Sequence, residues 1–395
     1  MPQASVRFSC PVPPQAEQYF QRLLSDRGAA WLKTARAGGK KVVGYFCTVL
    51  PQELFLAAGA VPFRLCAGAW GESAPGAPLA RDSCPVVAAA WDTLRAGLAA
   101  ELEAIVVCTT CDWKTKLADL LRAQGNVFLI DLSPGRPAEE VVAEWEGLCA
   151  WLADITDVPV TRARLEQAID LVAQAHQALR ALFALRRRKP PAISGSEAML
   201  VADALYYGDV AGWTAACRRL ADALARAPRE SRPARPRVLL TGAPIIWPND
   251  KLPRLIEQAG ADIVCEEFCS RLNVLYENGA PRGRLREMLL WLARRAVERC
   301  ACTFSLPVGR RVALVRRALS DFEVSGVVYH ILRGCAPAAV QAAPLARALR
   351  EAGVPVLELE TDYSAEDVEP LRTRIESFVG MLQAPGAEQP TAQGV

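Results

Sequence analysis

Short runs of apolar, mostly β-branched residues alternate with helix-patterned stretches along this chain, four times and then four times again. That alternation constrains the fold more than any other feature. A short apolar run fits a strand buried on both faces, and parallel strands need helical crossovers between them. The first set of strands reads as residues 42–46, 61–65, 105–107 and 126–130, the second as 237–240, 261–264, 325–332 and 354–359. The spacing predicts one amphipathic helix over 15–36, with Tyr19, Leu23, Leu24 and Trp31 on its apolar side. It predicts crossover helices over 52–60, from Pro85 onward and after Cys111, mostly helix over 138–207, and further helices over 210–227, 251–259, 284–298 and 343–352. Ser364 reads as the N-cap of a last helix, with Glu366 and Asp367 in its first turn.

The resulting fold class is α/β: two Rossmann-like parallel-sheet domains with helical additions, their strand ends facing one cleft. An N-terminal helical segment (1–40) precedes a first α/β domain with a helical extension (41–227). A Pro- and Arg-rich linker (228–236) leads to a second α/β domain (237–382) and a flexible tail (383–395). Each half has a cysteine just after its third strand, Cys111 and Cys335, and an acidic turn after its fourth. Neither first strand is followed by GxGxxG, and no GxxxxGK[ST] occurs, so the chain lacks the usual dinucleotide and ATP cradles.

Function is narrowed by exclusion first. With 46 basic and 43 acidic residues, the charge balance announces no nucleic-acid partner. The cations Arg186 to Lys189 read as a solvated helix end. No uncharged apolar run approaches the ~18 residues of a membrane span. The N-terminal stretch lacks a signal-peptide core, so the expected location is cytoplasmic. In that compartment 13 cysteines point to metal or redox work rather than disulfides. Only two histidines are present, which favours all-thiolate ligation over mixed zinc sites. His176 recurs on a helical face and reads as part of that face.

The stretch 104–121, AIVVCTTCDWKTKLADLL, concentrates this chemistry at a strand-to-helix turn. Thiolates there meet free backbone N–H groups. Cys108–Cys111 taken alone fits a redox pair, half a metal site or coincidence. Close cysteines recur at Cys265/Cys269 and Cys300/Cys302, and that repetition favours an iron–sulfur site. Cys149 and Cys217 fit apolar helix faces, Cys10 a loose end, and Cys47 and Cys66 strand ends near the cleft.

The segments GYFCTVLPQELFLAAGAVPFRL, DSCP, TTCDWKTK, LLTGAPI, GADIVCEEFCSR and VSGVVYHILRGC together resemble the 2-hydroxyacyl-CoA dehydratase and benzoyl-CoA reductase subunit family. So does VPVLELETDYSAEDVEPLRTRIESF, and the match runs from about Lys41 to Leu382. The resemblance implies a [4Fe–4S] cluster between two Rossmann-like domains, on the cysteines that correspond to Cys84, Cys111 and Cys335. The additional Cys269, Cys300 and Cys302 make the chain most similar to the double-cubane branch. There six cysteines hold an [8Fe–9S] cluster, and Cys265 is the alternative to Cys269. The resemblance further implies a homodimer and a separate ATP-dependent iron–sulfur activator that injects electrons for reduction of a small-molecule substrate. The alternative is a dehydratase or reductase subunit with one [4Fe–4S] cluster acting on a CoA thioester. Lys114, Lys116 and His330 lie beside the expected ligands, as charge-offsetting or proton-delivering groups.

Overall fold

The computed structural model describes residues 8–68, 79, 83–123, 125–229, 231–268, 271–276, 279, 282–299 and 307–384. Two four-stranded sheets organise them. The first holds β1 (Val42–Tyr45), β2 (Val61–Arg64), β3 (Ala104–Cys108) and β4 (Val127–Ile130), in the order β2-β1-β3-β4. The second holds β5 (Arg237–Gly242), β6 (Asp262–Glu267), β7 (Gly326–Leu332) and β8 (Val356–Thr361), in the order β6-β5-β7-β8. Every pairing is parallel. The two halves thus repeat one permutation. In each, the chain turns outward after the first strand and crosses back before the third. The carboxyl ends of β1 and β3, and of β5 and β7, therefore flank a switch point where an α/β sheet opens a crevice. Burial follows position: β1, β3 and β5 are buried throughout, whereas the edge strands β4 and β8 are only partly so.

The N-terminal segment departs from the sequence expectation. It forms two helices, Pro14–Ser25 and Ala29–Ala37, not one. Arg27 and Gly28 between them take positive φ, 54° and 79°. Asp26 caps the second helix through the amides of Gly28 and Ala30. The break turns the first helix onto Arg162–Ala184, Gly195–Ala204 and Val210–Arg226, where Phe20, Leu23 and Leu24 join Leu179, Val201 and Trp213 in one core.

Two helix starts also differ. The crossover after β7 begins at Ala336, because Pro337 sits in the first turn, where proline is at home. The last helix is Val368–Gln383 with Asp367 at its N-cap. Ser364 instead belongs to a turn wrapped around the Lys251 ammonium, which takes the carbonyls of Asp362 and Ser364, both at 2.9 Å, and pairs with Asp367. Val308–Asp321 is a helix the sequence pattern did not announce, its Arg311 side chain fully buried against Glu267.

The halves are tightly joined. Helix Leu285–Glu298, which lies in the sequence between β6 and β7, packs Met288, Leu289 and Leu292 against Val141, Trp145 and Leu148 of Ala138–Thr156. Arg295 grips buried Glu53 with two bonds of 2.6 and 2.7 Å. Arg186 pairs with Glu266 at 2.6 Å, both fully buried. No helix among the described residues is long and apolar enough to cross a membrane.

Candidate functional site

Three cysteines from distant parts of the chain stand as the N-cap residues of three helices. Cys84 precedes Pro85–Arg95, Cys111 precedes Asp112–Arg122 and Cys335 precedes Ala336–Glu351. Each therefore lies at the positive end of a helix dipole, among amides with no intrahelical partner. The Val86 and Val87 amides act to lower the Cys84 thiol, and the Ala338 amide acts the same way on Cys335.

The fold brings these thiols together across the two halves. Cys84 and Cys335 face one another. The neighbouring Cys335 thiol lowers that of Cys84 to about 7, and Cys84 in turn pushes the Cys335 thiol well up. Cys111 is raised, first by burial, and its sulfur feels the charges of both Cys84 and Cys47.

A second thiol pair lies at the switch point between β1 and β3. Cys47 follows β1 and Cys108 ends β3. Thr110 Oγ1 lies 3.4 Å from the Cys47 sulfur and 3.7 Å from that of Cys108, and the neighbouring Cys108 lowers the Cys47 thiol well below its usual range against the cost of burial. The Lys114 ammonium lies 2.6 Å from the Cys47 sulfur and 3.1 Å from Thr110 Oγ1, and Thr110 is fully buried. Burial opposes the charge on Lys114, but the thiols of Cys47, Cys111, Cys108 and Cys66 outweigh it and hold the lysine well above its ordinary value. Thr109 fixes the loop by donating to Asp131 Oδ1 (2.9 Å) and accepting from the Leu132 amide (3.0 Å). Cys66 donates to the Phe46 carbonyl at 2.7 Å, and Tyr363 reaches across from the second half to the Ala67 carbonyl at 3.0 Å.

The other sequence candidates separate. Lys116 is exposed, paired with Asp112 at 2.7 Å and resting on the Trp113 ring, so it faces solvent rather than the thiols. His330 is on β7, 1% exposed. Its Nδ1 lies 2.9 Å from the Ala243 carbonyl and its Nε2 2.8 Å from Thr361 Oγ1. Burial lowers its pKa to about 4. A neutral ring with both nitrogens engaged ties β7 to its neighbours. Cys265 sits in the apolar core with Val315, Leu319 and Tyr329, which removes it as a stand-in for Cys269. Cys149 and Cys217 are buried in helix cores as expected. His176 is half-buried on Arg162–Ala184. Cys269, Cys300 and Cys302 lie outside the described residues.

The sequence pointed to Cys84, Cys111, Cys335 and Lys114, but not to Thr110 or Tyr363. The Cys47–Lys114 contact was readable only from the placement of Cys47 and Cys111 after strands that turn out to be neighbours. Among the described residues, no three His, Cys, Asp or Glu side chains close around one point as a single ion requires. A cubane makes a different demand, because each cysteine binds a different iron. Thiols at three positive helix ends, beside a half-buried lysine with no carboxylate bonded to it among the described residues, fit such a negatively charged group.

Comparison with known proteins was made against this geometry. The family model described as 2-hydroxyglutaryl-CoA dehydratase, D-component, matches residues 47–382. The dehydratase-subunit candidate YjiM of Escherichia coli (strain K12) is 28% identical over 362 residues, covering 87% of this chain and 92% of its own. Lactoyl-CoA dehydratase subunit beta of Anaerotignum propionicum is 24% identical, covering 87% and 92%. The (R)-phenyllactyl-CoA dehydratase beta subunit of Clostridium sporogenes is 22% identical, covering 91% and 96%.

Proposed function

The chain belongs to the 2-hydroxyglutaryl-CoA dehydratase D-component family, and on that premise we propose that it is the iron–sulfur subunit of a 2-hydroxyacyl-CoA dehydratase. Cys84, Cys111 and Cys335 hold a [4Fe–4S] cluster in this reading. The observation that carries it is the convergence of three N-cap thiols from two separate sheets. The cluster, when bound, supplies a single electron at low potential.

The rest is the work of this chain's residues. Helix-terminal amides stabilise the thiolates, and Lys114 offsets their charge from beneath through Cys47 and Thr110. His330 ties the strands of the second half to one another, and Tyr363 holds that half against the first. Without a phosphate loop of its own, the chain takes its electron from a separate ATP-hydrolysing activator. The substrate class follows the relatives' names, which share a 2-hydroxy acid thioester: lactoyl-CoA and (R)-phenyllactyl-CoA. The test supplies purified chain, activator, ATP and (R)-lactoyl-CoA, with a paralogous subunit where the chain alone is inactive. Formation of the unsaturated thioester that disappears in Cys335→Ser supports the reading; turnover unaffected by Cys335→Ser overturns it.

A second reading rests on the extra cysteines. β6 runs parallel to β5 and β7, so its end at Glu267 delivers the chain to the edge where Cys335 stands. Cys269, Cys300 and Cys302 would then complete an [8Fe–9S] double cubane, with reduction of a small molecule by a homodimer. The iron and sulfide content separates the two.

A further inference from the structure

A large cleft away from the thiols is unaccounted for. It encloses about 1010 Å³ between the 228–236 linker, the start of Gly195–Ala204 and helix Lys251–Gln258. That matches the upper end of the size of small-molecule sites, ~300–1,000 Å³. Arg188, Arg229, Arg232, Arg235 and Arg254 line it.

Among the described residues four carboxylates also line the cleft, and each has another occupation. Asp262 pairs with Arg232 at 2.8 Å, and Asp250 pairs with Arg254. Glu197 closes the capping box with Ser194. Glu257 accepts from the Gly195 amide and pairs with the Ser196 hydroxyl. The cations are less committed. Arg188 spends its donors on the neutral carbonyls of Leu224 and Ala225, both at 2.9 Å. Arg229 and Arg235 are exposed and form no ion pair with any described residue. The linker arrays them. Arg229, Arg232 and Arg235 recur every third residue between Pro228, Pro233 and Pro236, with neither helix nor strand from 231 to 236. Proline-rich extended chain turns once in about three residues, rising ~3.1 Å each, so these guanidinium groups share one face. Forked donors on one face, at intervals of about 9 Å, suit several phosphate oxygens at once. Apolar side chains such as Leu200 and Ile193 supply the remaining wall.

The geometry points to a binding site for a nucleotide-type diphosphate ester in this cleft, gripped by Arg229 and Arg235 with Arg188 behind them. The site stands apart from the cluster reading and is tested without iron. Thermal stability and calorimetric binding are measured for the whole chain with ADP, with coenzyme A, and with sodium sulfate at matched ionic strength. Arg229→Ser, Arg235→Ser and the double variant are compared, all at exposed positions that leave the unliganded melting temperature unchanged. The expected result is a melting shift with ADP or coenzyme A and little with sulfate. Each substitution should weaken binding about tenfold, as loss of a charge-assisted contact does. A larger response to coenzyme A than to ADP identifies the 3′-phosphorylated nucleotide as the ligand; equal responses identify the diphosphate. No shift, an equal shift with sulfate, or undiminished ADP and coenzyme A binding by the double variant overturns the site.

Discussion

At the scale of single residues, buried His330 and half-buried Lys114 behave oppositely. His330 is held neutral, with its pKa at about 4. The unfolded chain binds that proton near pH ~6.5, so stability is complete above this value and falls as pH drops toward ~4. Over that window His330 alone accounts for about 3 kcal/mol, and His330→Gln should flatten the acid limb of urea-unfolding stability against pH. Equal pH dependence in the variant would contradict the assignment. Lys114 is instead held charged, by thiols. In Lys114→Met, Cys47 can reprotonate, so no charge is stranded and the iron-free protein should lose no more than about 1 kcal/mol. With the cluster in place, the same change removes a positive charge beside it, and a redox titration should give a more negative midpoint potential. An unchanged potential would put Lys114 outside the site. The charge-offsetting role of Lys114 was legible from its place beside Cys111, but its contact with Cys47 and the neutral state of His330 were not. His330 depends on Thr361 from a neighbouring strand, and Lys114 on Cys47 lying beside β3.

At the scale of elements, the eight strands were readable because buried parallel strands are short, apolar and rich in β-branched residues. The cysteines at strand-to-helix turns were readable for the same local reason. The break between the first two helices was not, since an amphipathic pattern passes through it undisturbed. Gly28 makes that break: its φ is 79°, and a Cβ there would lie 2.2 Å from the Tyr207 carbonyl oxygen. Gly28→Ala should therefore cost about 2 kcal/mol or more in denaturant unfolding. A cost below about 0.5 kcal/mol would mean that the turn relaxes freely. The Val308–Asp321 helix escaped notice because its arginine-rich pattern reads as surface, whereas Arg311 is buried by pairing with Glu267 and Thr241.

At the scale of the molecule, the repeat of one strand order in both halves was foreshadowed by the repeat of the pattern. How the halves meet was not, because it depends on long-range pairs such as Glu53 with Arg295. Arg295→Met leaves Glu53 buried without its partner and should cost about 3 kcal/mol, most of it recovered by adding Glu53→Gln. Urea unfolding of the single and double variants checks this, and additive losses would contradict it. The same meeting of halves brings Cys335 to Cys84, and the functional account rests on that contact. The most direct test is iron and acid-labile sulfide per chain after anaerobic reconstitution, in the native protein and in Cys335→Ser. The account predicts about four of each, or about eight irons if a second cubane forms on the remaining cysteines, with a marked loss in the variant. Native protein that folds but takes up no iron, or a Cys335→Ser variant that retains the full complement, would contradict it.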